Sequence, residues 1–237
     1  MTANSQDAAD VEPQIIFDAG VVILIDCTQP LPRIMFGRRR PDNVFLPDKW
    51  VFPGGRFDAD DLKVSACDAL DAKDHAALMW GMPDAWTPHH ATTLALTAVR
   101  EVFEETGLVI GARGTMPAPV PEAWQPFAAL GYMPHISGLR VLARAITPPG
   151  RTRRFDARFF AIDASHIAHR IARDEGEHSE LLDLVWQPLD QLDKLDLPTI
   201  TRMVLRELEA RIAAGFGHHL PVPFFLEKHK KQLRDEL

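Results

Sequence analysis

Nine residues near the middle of the chain, Arg100-Glu101-Val102-Phe103-Glu104-Glu105-Thr106-Gly107-Leu108, bring together three carboxylates and one guanidinium. Wound as an α-helix at about 100° per residue, Glu101, Glu104 and Glu105 stand at i, i+3 and i+4 and are surface neighbours. Ala95, Ala98, Val99, Val102 and Phe103 fall on another side, the core face. Carboxylates so placed repel one another, and the last turn of a helix disfavours negative charge. Arg100 reaches Glu104 at i+4, but one cation does not neutralise three acids. A divalent ion would, and oxygen-only ligands favour Mg²⁺ or Mn²⁺. The competing reading is a solvated acidic helix face. Against it stand the ordered pattern of Arg, Glu, apolar and Gly positions, and Pro53-Gly54-Gly55 upstream, where a residue without Cβ lets backbone approach an ion.

These residues need elements to hold them. Thr87 as N-cap, Pro88 at the first helical position and Gly107 as the stop predict a helix running to Thr106. The apolar, β-branched run at residues 15–25 predicts a buried strand, with residues 33–38 as its hairpin partner. Residues 139–146 and 154–162 read as strands around the turn Thr147-Pro148-Pro149-Gly150, residues 181–187 as another strand, and residues 200–213 as an amphipathic helix. Strands interleaved with helices predict one α/β domain. Residues 1–13 are polar and acidic and read as a flexible tail, leaving 14–237 as the domain and 198–237 as a C-terminal helical region.

Residues 100–108 resemble the second half of the Nudix hydrolase box, G-x5-E-x7-R-E-U-x-E-E-x-G-U, where U is bulky and aliphatic. The first half fits with a change. Gly55 is followed after five residues by Asp61 in place of Glu, and 38 residues instead of seven separate Asp61 from Arg100. About 31 residues are thus inserted, assigned to 62–91. An insertion there is similar to that of the peroxisomal coenzyme A diphosphatase subgroup and its bacterial relatives. Phe45-Leu46-Pro47, Trp50 to Gly55, and Thr147-Pro148-Pro149 with Arg154-Phe155-Asp156-Ala157-Arg158-Phe159-Phe160 resemble that subgroup too. The resemblance implies an α/β/α sandwich with a mixed sheet and a loop–helix–loop motif interrupted by the insert. It implies metal-dependent hydrolysis of a nucleoside diphosphate derivative, with coenzyme A or an acyl-CoA as the favoured substrate. ADP-ribose, NADH, a dinucleoside polyphosphate, or nucleotide binding without turnover are the alternatives. Glu104 and Glu105 would be the principal metal ligands, helped by Glu101 and the Gly55 carbonyl. Arg100 would orient the acids, and Glu101 or Glu104 would activate water. A later-loop acid, Glu180 or Glu177, would join the metal. The part played by Asp61 stays open.

Other residues carry less. Arg38, Arg39 and Arg154 are candidate phosphate contacts, each against a surface reading. Asp156 lies in an apolar strand run and reads as a structural hydrogen-bond partner. Trp80 and Trp86 read as packing of the insert. No histidine sits at zinc spacing with Cys27 or Cys67, so a zinc site is rejected and Cys67 reads as a free thiol. A net charge of −7 without a basic excess argues against duplex nucleic acid. No run approaches the roughly 20 apolar residues of a membrane span. Two cysteines and no signal-like N-terminus make a reducing cytoplasm the expectation. Oligomeric state stays open, a homodimer being one option.

Overall fold

The computed structural model describes residues 14–172, 179–228 and 231–236. In chain order the strands and α-helices are β1 (Ile16–Asp26), β2 (Arg33–Arg39), β3 (Trp50–Val51), β4 (Gly54–Arg56), α1 (Ala72–Met79), α2 (Pro88–Thr106), β5 (Leu108–Arg113), α3 (Gln125–Ala129), β6 (Tyr132–Pro134), β7 (Arg140–Ile146), β8 (Arg154–Asp163), β9 (Ile167–Arg170), β10 (Leu181–Pro188), α4 (Thr199–Ala213), β11 (Pro223–Lys228) and β12 (Lys231–Glu236). The large sheet runs β10-β2-β1-β8-β7-β11-β12, with β3 on β2 and β4 on β1. It is mixed: β1 with β8 and β7 with β11 are parallel, and the other pairs are antiparallel. A smaller sheet, β6-β5-β9, follows α2.

Period-2 alternation of the central strands makes the sandwich. Val22 and Leu24 of β1 join a core with Leu94, Ala98 and Val102 of α2. Ile23 and Ile25 point the other way, to Val204, Leu205 and Leu208 of α4. This is the expected α/β/α arrangement, with no helix among the described residues long and apolar enough to cross a membrane. Helix α2 lies close on β1 at Gly20, where a Cβ would lie 2.7 Å from the Leu94 carbonyl and 2.9 Å from the Ala98 Cβ. Gly20→Ala is therefore expected to push α2 off the sheet and cost about 1–3 kcal/mol, read as a fall of several degrees in a thermal melt.

Two expectations change. The C-terminal region 198–237 is helical only over α4; residues 223–236 form the hairpin β11–β12, added to the β7 edge through Phe224 and Phe225. Phe224 and Phe225 are buried against that edge. The insert drawn as 62–91 overlaps the first turn of α2, whose capping box joins Thr87 and His90. A 3₁₀ turn (Ala59–Lys63) leads from Asp61 into the insert, which then contains α1, whose Leu78 and Asp74 are buried. Residues 1–13, read as a tail, lie outside the described residues.

Candidate active site

Helix α2 has the predicted ends: Thr87 at its N-cap and Gly107 at its C-cap, with φ of 70° and its N–H donating to Phe103 O. A Cβ at Gly107 would also meet the Ile171 carbonyl at 2.8 Å. The last two turns carry Arg100 to Glu105 under the β4 backbone. Arg100 is buried and is the hub. Its Nη1 donates to Glu101 at 2.8 Å and Glu104 at 3.0 Å, its Nη2 to the Arg56 carbonyl at 3.0 Å, and its Nε to Asp61 at 2.8 Å. Burial disfavours its charge, but the hydrogen bond to Asp61 and the charges of Glu101, Asp61 and Glu104 outweigh that and raise its pKa.

The acidic face is not a solvated one. Glu105 is buried, and its Oε2 accepts the Gly54 N–H at 2.8 Å. The Glu101 side chain is 14% exposed, and only Glu104, at 39%, opens broadly to solvent. The want of a side chain at Gly55 has a direct cause: a Cβ there would lie 2.4 Å from the Glu101 carboxylate. So Gly55 makes room for an acid, a closer constraint than the approach of backbone to an ion. Burial pushes the Glu101 pKa up to about 7, Arg100 pulls against it and Glu104 adds to it. Burial and the charge of Glu101 raise Glu105 well above the ordinary range, with the Gly54 N–H opposing. Glu104 is raised by burial, against Arg100.

The sign of the linkage follows. Glu101 holds a proton in the folded state that it loses in the unfolded chain between about pH 4.5 and 7. Its contribution to metal-free stability is complete below about pH 4.5 and falls away as pH rises through about 7. Glu101→Gln should therefore gain on the wild type across this range, by about 3 kcal/mol at pH 8, as paired melts in chelator at pH 5 and pH 8 would show. A constant difference between the two melts would contradict it.

Asp61 now has a definite place. It is fully buried, and its two oxygens accept from Arg100 Nε and Nη2, Thr97 Oγ1 at 2.7 Å, Trp124 Nε1 at 2.8 Å and the Asp58 N–H at 3.2 Å. Asp61 orients Arg100 and is itself closed off from solvent. Thr97 and Trp124 escaped the sequence reading: Thr97 looks like an ordinary helix residue, and Trp124 lies in a 3₁₀ turn (Glu122–Trp124) with no motif around it.

Of the later acids, Glu180 stands at the head of β10 with its side chain 65% exposed, 3.4 Å from Arg39, and its charge raises the pKa of all three box glutamates. Glu177 lies outside the described residues. Arg39 is brought to the cluster: its charge lowers the pKa of Glu105, and its Nε is buried without a hydrogen-bond partner among the described residues. Arg38 instead pairs with Asp183 at 2.8 Å and Asp48 at 3.4 Å on the surface. Arg154 is not brought to the box. It sits four residues along β8 from Arg158, the residue opposite Gly20, so about 13 Å away, and its Nε donates to the Thr147 carbonyl of its own hairpin. Asp156 binds Arg144 through two hydrogen bonds, at 2.9 and 2.7 Å. Trp86 packs beside Phe57 and His90, and Trp80 against Phe224.

No protein-family model and no curated protein matches the chain. Solved structures do. The Nudix hydrolase of Alicyclobacillus acidocaldarius is 27% identical, with a TM-score of 0.59, over 84% of this chain and 93% of that one. The NUDIX domain of Shewanella oneidensis NrtR, solved with ADP ribose, is 12% identical, with a TM-score of 0.46 over 84% of this chain and 90% of that one. The MutT protein of Methanosarcina mazei Go1 is 14% identical, also with a TM-score of 0.46, over 84% of this chain and 97% of that one. The fold is that of the Nudix hydrolases, and the Alicyclobacillus likeness is consistent with an enzyme of the Nudix pyrophosphohydrolase type.

Proposed function

We propose that the chain hydrolyses the diphosphate bond of a nucleoside diphosphate derivative, with coenzyme A or an acyl-CoA as substrate and Mg²⁺ or Mn²⁺ as cofactor. The observation that carries the reading is the burial of Glu105 and the near-burial of Glu101 beside Glu104 under Gly54-Gly55, with Arg100 hydrogen-bonded to Glu101 and Glu104. A hard divalent ion fits that donor set, and Glu101, Glu104 and Glu105 would hold it, with Glu180 and the Gly55 carbonyl as further donors. When bound, such an ion supplies charge neutralisation on the diphosphate oxygens.

The chain's own residues supply the rest. Arg100 fixes the directions of Glu101 and Glu104, so that the carboxylates need not reorganise as charge develops. Glu101, nearly buried and held by the Arg100 hydrogen bond, suits the role of base towards a water. Glu104, the most open of the three, is the other candidate for that role. Arg39, which stands beside Glu180 and whose charge reaches Glu105, suits a phosphate oxygen. Arg38 and Arg154 are engaged elsewhere and fit that task less well.

The coenzyme A assignment is supported by the insert and by the subgroup-like stretches at residues 45–55 and 147–160. Incubation of the purified chain with free coenzyme A and Mg²⁺, followed by product analysis, tests it. Phosphopantetheine and adenosine 3′,5′-bisphosphate are expected. Turnover of ADP-ribose, NADH or a dinucleoside polyphosphate alone would move the substrate but keep the reaction. Tight nucleotide binding with no turnover on any of them would replace the enzyme by a regulator.

A further inference from the structure

The insert brings a second set of metal-binding groups together, away from the glutamates. Cys67 and Asp68 lie in the insert between the 3₁₀ turn and α1, His135 directly follows β6, and His166 ends the turn after β8. The insert backbone docks on β6, with Cys67 N–H donating to the Pro134 carbonyl at 2.8 Å. One ligand atom from each of Cys67, Asp68 and His135 lies within 4.8 Å of the others. The groups around them are fixed. Asp68 Oδ1 accepts the Ile136 N–H at 2.8 Å and the Ser137 N–H at 3.3 Å, which leaves Oδ2 facing His135 Nδ1 at 2.6 Å. His135 Nε2 meets His166 Nδ1 at 3.0 Å, with the two rings stacked at 5.1 Å. His166 has its place because Gly138 is bare: a Cβ there would lie 2.7 Å from its ring.

We propose that Cys67, Asp68 and His135 form a site for a borderline-soft divalent cation of the zinc type, which clips the insert to β6. The donor chemistry selects the ion. A thiolate with an imidazole favours Zn²⁺ over Mg²⁺, the reverse of the oxygen-only box. Three protein ligands with Cys67 at the surface leave a fourth position for water. The second shell fits as well. With Nδ1 on the ion, Nε2–H donates to His166 Nδ1, which fixes the ligating tautomer, while two backbone amides hold Asp68. Without the ion, the His135 Nδ1–H faces Asp68 Oδ2, so binding displaces that proton and the thiol proton. The expectation that no zinc site exists rested on spacing in sequence; the fold joins groups 68 positions apart. The inference does not depend on the reaction at the box.

Cobalt(II) tests it, as an optically visible stand-in for Zn²⁺. One equivalent added to the chelator-stripped full chain is expected to give a sulfur-to-cobalt charge-transfer band that Zn²⁺ abolishes. The glutamate site has no sulfur and gives no such band. Cys67→Ser should remove the band, Cys27→Ser should keep it, and His135→Gln should weaken cobalt affinity about tenfold or more. Zn²⁺ should raise the melting temperature of the wild type and not of Cys67→Ser. If Cys67→Ser fails to fold, His135→Gln and Cys27→Ser decide. A wild type without the band, a band that survives Cys67→Ser, or one lost in Cys27→Ser would overturn the site.

Discussion

Glu105→Gln is expected to lower kcat by about 10²–10³-fold, and Glu104→Gln by a similar factor, with the fold intact. The argument rests on where each carboxyl sits. Gln at 105 keeps the shape and still accepts the Gly54 N–H at a buried position. It removes a negative charge that burial and Glu101 already disfavour. The metal-free variant should therefore melt no lower than the wild type, while the site loses an anionic donor. At 104 the side chain is well exposed, so the amide costs little stability, and Arg100 keeps Asp61 and Glu101. Steady-state turnover at saturating Mg²⁺, beside melts in chelator, checks both halves. Wild-type turnover in either variant would remove that glutamate from the machinery.

The second large effect is at Asp61, and it falls on stability and activity together. Asp61→Asn leaves five donors converging on a side chain that now offers one acceptor oxygen and an NH₂. The amide nitrogen must face another donor, and Arg100 loses a buried counter-charge. Breaking a buried ion pair from one side costs about 3–5 kcal/mol, which in a chain of 237 residues lowers Tm by roughly 10 °C. Activity falls as well, because Arg100 no longer holds Glu101 and Glu104 in register. Trp124→Phe is the graded comparison. It keeps the ring in the core and removes one hydrogen bond, for about 1–2 kcal/mol. A variant series in which Asp61→Asn is the milder of the two would refute this ranking.

Much of this frame was legible in the residues. Helix α2 is marked at both ends by its own chemistry, Thr87-Pro88 and Gly107, and its acids share a face by spacing alone. Strands β1, β2, β7, β8 and β10 are apolar runs closed by turn residues, so local pattern suffices. The misses have another character. β5, β6 and β9 are short and take their shape from one another, and the hairpin β11–β12 is read only once the β7 edge is known. Asp61 stands where the box pattern has a Glu, and no local signal tells a metal ligand from a buried anchor. That distinction comes from Trp124, 63 positions away. Cys67 and His135 became partners for the same reason, through strand pairing that spacing does not record.

The parallel pairing of β1 with β8 also sets an order of assembly. β1 emerges first from the ribosome, but one of its edges has no neighbour until β8 has been made, and β2 waits longer still for β10. Contacts this distant along the chain form slowly. Nascent chains halted short of β8 would carry an apolar strand with an open edge, a template for association. Such chains should be the ones most in need of chaperone shielding during synthesis, and truncations ending there should collect in inclusion bodies.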